Sequence, residues 1–378
     1  MNVVICGAGV IGASIAYYLS LRGIGATVVE RADVACAASG KSAGFLALDW
    51  CDGTPLESLA RSSFELHADL AGALDTDYGY RRMDTFQIAA SKSGPMDQYQ
   101  RMASPAWLDG NCAVYAALGN ESTTAQVHPD QFTRALMGQA LARGATLRTG
   151  CVADVEFADG GTTVCGVRVD NEIVPADVIV IAMGPWSILA ATWMPLPAVG
   201  GLKSHSITIR TSAAVPPHAL FVEFLSQSGV TESPEIVPRP DGEVYVCGIS
   251  DDLPLPVDPR KVVVNEDSCR ALHGMAGELS GALGEGEITR MQACYRPICV
   301  DALPLMGKVP GIDGAYIASG HNCWGILNAP ASGLAMAELI AEGESKSIDI
   351  APFNPGRLPR VAEKSISIDS ARGEPAFK

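Results

Sequence analysis

Positive charge is scarce in this 378-residue chain: 27 lysines and arginines stand against 42 aspartates and glutamates, a formal net charge of −15. No long Lys/Arg run offsets that balance. Phosphate backbones are bound by basic surface, so nucleic acid is not an expected partner, and any anionic ligand must be held by local groups. Cysteine pairs at metal or redox spacing are also missing, since the eleven cysteines are odd in number, scattered, and contain no CxxC. That pattern argues against a disulfide framework and a zinc site and favours a reducing compartment; no metal site is expected. No signal or transit peptide is legible, because a folded motif begins at residue 3, and the cytoplasm is the expected location. An unbroken transmembrane span is absent as well. Between Asp177 and Lys203 no residue is charged, but Gly184, Pro185, Pro195, Pro197, Gly200 and Gly201 would break a helix there repeatedly. VIVIAMG reads instead as a buried strand entering a loop. No internal repeat is visible.

What is present is globular. Hydrophobic residues make up 48% and charged residues 18%, and the length suits two domains or one nucleotide-binding domain with a sizeable insertion. The opening NVVICGAGVIGASIAYYLSLRGIGATVVE carries the strongest local signal. An apolar strand, VVIC, runs into Gly7, Ala8, Gly9, Val10, Ile11 and Gly12, then a helical stretch to about Arg22, then a second strand ending at Glu30 and Arg31. Gly7 allows the tight turn, Gly9 lets a pyrophosphate reach the backbone, and Gly12 lets helix pack on strand, with the helix N-terminus facing the phosphates. Glu30 can accept hydrogen bonds from an adenosine ribose. An acid there argues against a 2′-phosphate, which leaves NAD or FAD. The loop ASGKSAGFLA, residues 38 to 47, is small enough to let a flat ring or a phosphate lie against backbone.

These motifs, with VHPDQFTRAL at 127 to 136, VIVIAMGPWS at 178 to 187, RPDGEVYVCG at 239 to 248, YRPICVDALPLMG at 295 to 307 and GHNCWGILNAPASGLAMAELI at 320 to 340, carry a resemblance. In order and spacing the chain, from residue 1 to about 350, resembles the D-amino-acid-oxidase superfamily of FAD-dependent oxidoreductases, in its glycine oxidase and sarcosine oxidase branch. The GHNCWGILNAP wording is also similar to fungal and plant oxidoreductases of unsettled substrate. The resemblance implies an α/β fold: a Rossmann-type FAD-binding domain on a parallel sheet, with a smaller substrate domain on a mixed or antiparallel sheet. Its expected pieces are 1–60, 126–200 and 286–350 for the cofactor and 61–125 and 201–285 for the substrate. The first insertion reads as helix then irregular chain, and the second as short strands (HSITIR, ALFVEF, EIVPR, EVYVCG) before a helix near 265 to 281. The polar tail 351–378 is expected to be mobile. Besides the first glycine turn with Glu30 and Arg31, implied cofactor contacts are Ser39, Gly40, Lys41, Ser42, Ala43, Gly44, Val152, Gly184, Trp186, Gly320, Asn322, Cys323, Trp324, Gly325 and Ile326.

Within QACYRPICVD, residues 292 to 301, one arginine stands among apolar residues. The resemblance implies that Arg296 binds a substrate carboxylate, which a planar guanidinium can clamp bidentately. The alternative is a structural ion pair with Asp301 or Glu223. Asp301 itself reads as part of a structural turn. Cys294 lies seven residues before Asp301, the register at which sarcosine-oxidase-like members attach flavin covalently, whereas Arg-Pro members hold FAD without that link; noncovalent FAD with Cys294 lining the site is expected. In the closing segment a helix N-terminus would favour negative charge developing on the flavin pyrimidine. His321 is a catalytic candidate that could equally be structural, and Trp324 could be core. Asn322 and Cys323 replace bulkier residues of glycine-oxidase-like members, so glycine itself is not implied as substrate. Lys41, Lys203 and His205 are candidates for the positive charge that oxygen activation uses; solvated lysines and a structural histidine are the alternatives.

The function implied is oxidation of the C–N bond of a small amino acid or secondary amine by hydride transfer to flavin N5, followed by hydrolysis of the imine. Oxygen or another acceptor would take the electrons. The rivals are a flavin dehydrogenase of a hydroxy acid and a flavoprotein with a binding or assembly role.

Overall fold

The computed structural model describes residues 1–92, 102–158, 160–226 and 229–361, together with the backbone of Ile366–Asp369 and Glu374–Phe377. Its first sheet grows from the apolar opening. Val3–Cys6 is buried throughout, as a strand covered on both faces must be, and pairs in parallel with Thr27–Glu30 on one side and Val178–Ile181 on the other. Thr146–Thr149 extends the sheet in parallel beyond Thr27–Glu30, and Ala315–Ser319 does so beyond Val178–Ile181. Leu305–Lys308 closes that second edge antiparallel. VIVIAMG is thus a central strand, and no helix among the described residues is long and apolar enough to cross a membrane.

The glycine turn is fixed by backbone crowding. Gly7 sits at φ +107°, and a Cβ there would lie 2.5 Å from the Ala182 carbonyl oxygen. A Cβ on Gly12 would lie 2.0 Å from the Gly7 carbonyl oxygen, so the Val10–Ser20 helix can approach the strand only without one. That helix is nearly all buried, packed against the Pro129–Ala142 and Gly325–Glu342 helices. It has no exposed stripe because both neighbours cover it.

The Gly325–Glu342 helix contains a proline, Pro330, which can donate no hydrogen bond to the carbonyl of Ile326. A neighbouring helix, Glu57–Ala73, repairs the gap with two residues four apart. His67 Nε2 lies 3.0 Å from the Ile326 carbonyl oxygen and 3.2 Å from that of Leu327, and the Ala331 N–H donates to Ser63 Oγ at 3.1 Å. Burial holds His67 neutral, its pKa lowered to about 4 although both carbonyl contacts act the other way.

A second, mixed sheet stands over the first. Its strand order is Glu287–Ile298, Gly200–Arg210, Glu243–Asp251, Glu235–Pro238, His218–Leu225, Asp84–Ser91 and Cys112–Gly119. All neighbours are antiparallel except His218–Leu225 and Asp84–Ser91. The four strands read in the second insertion are present, and the Glu266–Leu279 helix packs on this sheet. Two expectations are corrected. The first insertion continues past its helix as two sheet strands, because DTFQIAAS finds a partner 134 residues on, at His218–Leu225. The strand Glu287–Ile298, placed by sequence with the cofactor segments, pairs along its length in the second sheet.

The tail is also shorter than expected. Phe353 is buried, and Arg357 donates to Asp301 and to the Leu303 carbonyl, docking 351–361 back on the protein. Beyond that, Ile366–Asp369 pairs antiparallel with Glu374–Phe377, while 362–365, 370–373 and 378 lie outside the described residues.

Because unfolded histidine titrates near 6.5, His67 takes up a proton on unfolding at any pH between that value and about 4. Stability is therefore full above pH 6.5 and falls as pH drops towards 4, by on the order of 3 kcal/mol from this residue. His67→Gln can still donate an N–H to the same carbonyls without titrating. Thermal midpoints measured from pH 7 to 4 should fall less steeply in this variant than in the wild type.

Candidate functional site

A cavity of about 570 Å³ lies between the two sheets, within the range of small-molecule sites. At one end stand the glycine turn and Glu30. Glu30 accepts from the backbone N–H of Ala8 and of Ala32, both at 2.9 Å, so its carboxylate is fixed at the strand end. Arg31 donates to the Val257 carbonyl and contacts Cys151, and Val152 lines the same end. The Val10 N–H, at the start of the first helix, donates to Ser39 Oγ at 2.9 Å and so joins the turn to the 38–47 loop.

That loop is tied to the second sheet. Tyr245 donates to the Lys41 carbonyl at 3.0 Å, and the buried Arg239 donates to the Ser42 carbonyl at 3.1 Å. Ser39, Lys41, Ser42, Ala43 and Gly44 line the cavity. Gly40, Ala8 and Gly12 do not: the last two support the turn from behind, and a Cβ on Gly40 would meet the Ala35 carbonyl oxygen at 2.3 Å. Midway, Gly184 and Trp186 form the wall, with the Trp186 indole donating to the Pro256 carbonyl at 2.7 Å. The closing segment contributes Gly320, His321, Asn322, Cys323, Trp324, Gly325 and Ile326.

Sequence reasoning placed Arg296 here, and it does line the cavity. Its buried Nε has no hydrogen-bond partner. The two alternative partners are engaged elsewhere: Asp301 pairs with Arg357 at 2.8 Å, and Glu223 accepts from Gln87 at 3.1 Å. Cys294 is buried beside the cavity, its thiol pushed up to about 11 by burial. His321 is buried with Nε2 3.0 Å from Ser332 Oγ, and burial lowers its pKa to about 3, so it is neutral at ordinary pH. Of the three cation candidates, Lys41 and His205 line the cavity. Lys203 is neither solvated nor on the cavity wall: it is 1% exposed and pairs with Asp251 at 2.7 Å. Burial lowers the His205 pKa, and the ring bonds the Ile249 carbonyl and the Asn265 N–H.

Two features were not anticipated. One is an aromatic wall: Phe45, Trp50 and Phe221 pack with ring centroids 4.7 to 5.2 Å apart, and Trp324 stands edge-on to Trp50 at 6.3 Å. The other is Glu235, on the wall near Arg296. Burial raises its pKa, opposed by the Arg296 charge and by the Cys247 thiol, which donates to it at 3.7 Å. A lone acid opening the apolar strand EIVP is the signal that sequence reading passed over.

The fold and the cavity define an α/β protein of the dinucleotide-binding class, in which a separate sheet lines the far side of the cavity. Residues 2–339 match the DAO model, FAD dependent oxidoreductase, so the chain belongs to that family. It is 31% identical to an oxidoreductase candidate of Schizosaccharomyces pombe, over 94% of this chain and 97% of that one. It is 26% identical to a glycine oxidase of Pseudomonas aeruginosa over 94% and 99% of the two chains. The crystal structure of glycine oxidase from Geobacillus kaustophilus matches in fold, with a TM-score of 0.74 and 24% identity over 94% of this chain and 98% of that one. The protein is an FAD-dependent oxidoreductase related to amino acid and amine oxidases. The cavity fits that cofactor: a pyrophosphate can reach the turn at Gly9, a ribose can reach Glu30, and apolar walls flank the middle.

A Cβ on Gly9 already lies 3.1 Å from Ser39 Oγ, so a branched side chain has no room except the cavity. Gly9→Val should purify colourless, with the visible flavin absorbance lost and the far-UV circular dichroism kept. A yellow variant would contradict the placement of the pyrophosphate.

Proposed function

We propose that the protein oxidises the C–N bond of a small amino acid or carboxylate-bearing secondary amine. The observation that carries this reading is the Arg296 guanidinium, which lines the cavity with its Nε unpartnered, while the two carboxylates considered as structural partners, Asp301 and Glu223, are engaged elsewhere. A buried charged donor without an acceptor is costly, and a ligand carboxylate supplies the missing anion. Bidentate binding there would fix the α-carbon, and the aromatic wall would exclude water from the reacting bond. FAD, when bound, supplies the redox chemistry by accepting the hydride, with oxygen or another acceptor taking the electrons onward. The chain's own task is positioning. Arg296 holds the carboxylate, Trp50, Phe221 and Trp324 shape the space beside it, and the Gly325–Glu342 helix presents its N-terminus to the cavity, where negative charge is favoured. The neutral His321 supports that helix through Ser332 rather than contributing charge.

Anaerobic visible spectra of the purified flavoprotein, recorded with pooled amino acids and N-methyl amino acids, should bleach. Bleaching by 2-hydroxy acids alone would replace this reading with a hydroxy-acid dehydrogenase, and no bleaching by either pool would favour a binding role. In Arg296→Ala the concentration of the active amine needed for half-maximal reduction should rise roughly 30- to 100-fold, with loss of about 2–3 kcal/mol of charge-assisted hydrogen bonding. Flavin content should stay unchanged. Equal loss of flavin would make Arg296 structural.

A further inference from the structure

Glu235 has no part in the reading above, and the register of the second sheet aims it at the same space as Arg296. Phe221, Glu235, Cys247 and Ser206 stand directly opposite one another across four adjacent strands, and all four line the cavity. Residues opposite in register share a face of the sheet. Ser206 in turn stands opposite Gln292 on the strand Glu287–Ile298, and Cys294 and Arg296 follow at two-residue steps on that face. One sheet face thus delivers a carboxylate and a guanidinium to one end of one cavity. The two sense each other's charge, yet neither is consumed in an ion pair with the other among the described residues. Among the described residues one other carboxylate, Glu30, lines the cavity, and its oxygens are held by backbone N–H groups at the turn.

We propose that Glu235 determines specificity by binding the positively charged nitrogen of the substrate while Arg296 binds its carboxylate, so that the site selects zwitterionic amino acids over simple carboxylates. The inference rests on the carboxylate role of Arg296 and adds the second half of the recognition. A carboxylate with little hydration and no ion pair favours a cationic partner, and the Phe45, Trp50, Phe221 and Trp324 rings line the same cavity, where a cation can lie against an aromatic face. Burial raises the Glu235 pKa, as expected for a carboxylate deprived of water, and Arg296 draws it back down. Tyr245 and Cys247 from the strand Glu243–Asp251, Cys294 from the strand Glu287–Ile298 and Cys323 from the closing segment line the cavity with the pair, and loss of hydration raises all four. They stay neutral, which leaves Glu235 as the group that can match a cation.

The test uses ligand pairs that differ only in nitrogen against ether oxygen: sarcosine against methoxyacetate, and proline against tetrahydro-2-furoate. Half-saturating concentrations are read anaerobically from the flavin spectrum of the holoprotein, as perturbation or as reduction. Wild type should favour the nitrogen member of at least one pair. In Glu235→Gln that preference should fall about tenfold or more, the scale of one charge-assisted contact, while the ether member binds as before. Glu235→Asp, which keeps the charge, should retain part of the preference and guards against misfolding of the amide variant. An unchanged ratio in Glu235→Gln, or absence of any preference in wild type, overturns the role of Glu235 and leaves the Arg296 reading standing. Binding of neither member of any pair overturns the Arg296 reading and this one with it.

Discussion

The pairing of Gly200–Arg210 with Glu287–Ile298 is the constraint on which the rest of the site hangs. It runs from Gly200 opposite Ile298 to Arg210 opposite Glu287, with one irregularity near the middle of the ladder's far half. At its near end it meets the first sheet, because the chain leaves Val178–Ile181 just before it and enters Leu305–Lys308 and Ala315–Ser319 just after. The two sheets are joined there through the chain and again through the 38–47 loop, and both line the cavity. A strand has period 2, so a slip of one residue in this ladder would move Cys294 and Arg296 to the other face of the sheet from Ser206, Cys247 and Glu235. The burial of Tyr295, which donates to the Pro254 carbonyl at 2.7 Å, guards against that slip from the opposite face.

Electrostatically the protein solves a local problem against a hostile background. A net charge of −15 repels anions at long range, and the cavity answers with a few fixed groups: Arg31 at one end, Lys41 along the wall, Arg296 at the other. Between them the wall is apolar and aromatic, so each cation acts through a medium that screens poorly. The carboxylates are as sparse. Glu30 is tied down by backbone donors, whereas Glu235 is left facing a cation and a thiol.

What could be read from the sequence was what is local. The turn at Gly7, Gly9 and Gly12, the strand VIVI and the short strands of the second insertion each declare themselves within a few residues. Arg296 stood out as a charge in an apolar run, and the family resemblance supplied its context. Whatever depends on partners far along the chain stayed hidden. The strand Asp84–Ser91 is made by its neighbour at 218–225, and Glu235 acquires its meaning only from Phe221 and Cys247 on either side. Lys203 could be read as a cation beside the flavin or as a solvated lysine, and Asp251, 48 residues away, holds it in neither place. Likewise Ser63 and His67 are ordinary helix residues in sequence; that they complete the ladder broken by Pro330 is a fact of packing.

The order of strands in the first sheet has a consequence for how the protein is made. Val3–Cys6 is synthesised well before its neighbour Val178–Ile181, and Ala315–Ser319 comes only after the whole second sheet has been translated. A nascent chain therefore carries an exposed, apolar and unfinished sheet edge for most of its synthesis. The groups that line the cavity, from the 38–47 loop to the segment at 320–326, are all present only after the second sheet has been made. A cofactor that needs both segments can bind only after that point, and by binding the folded chain alone it stabilises it.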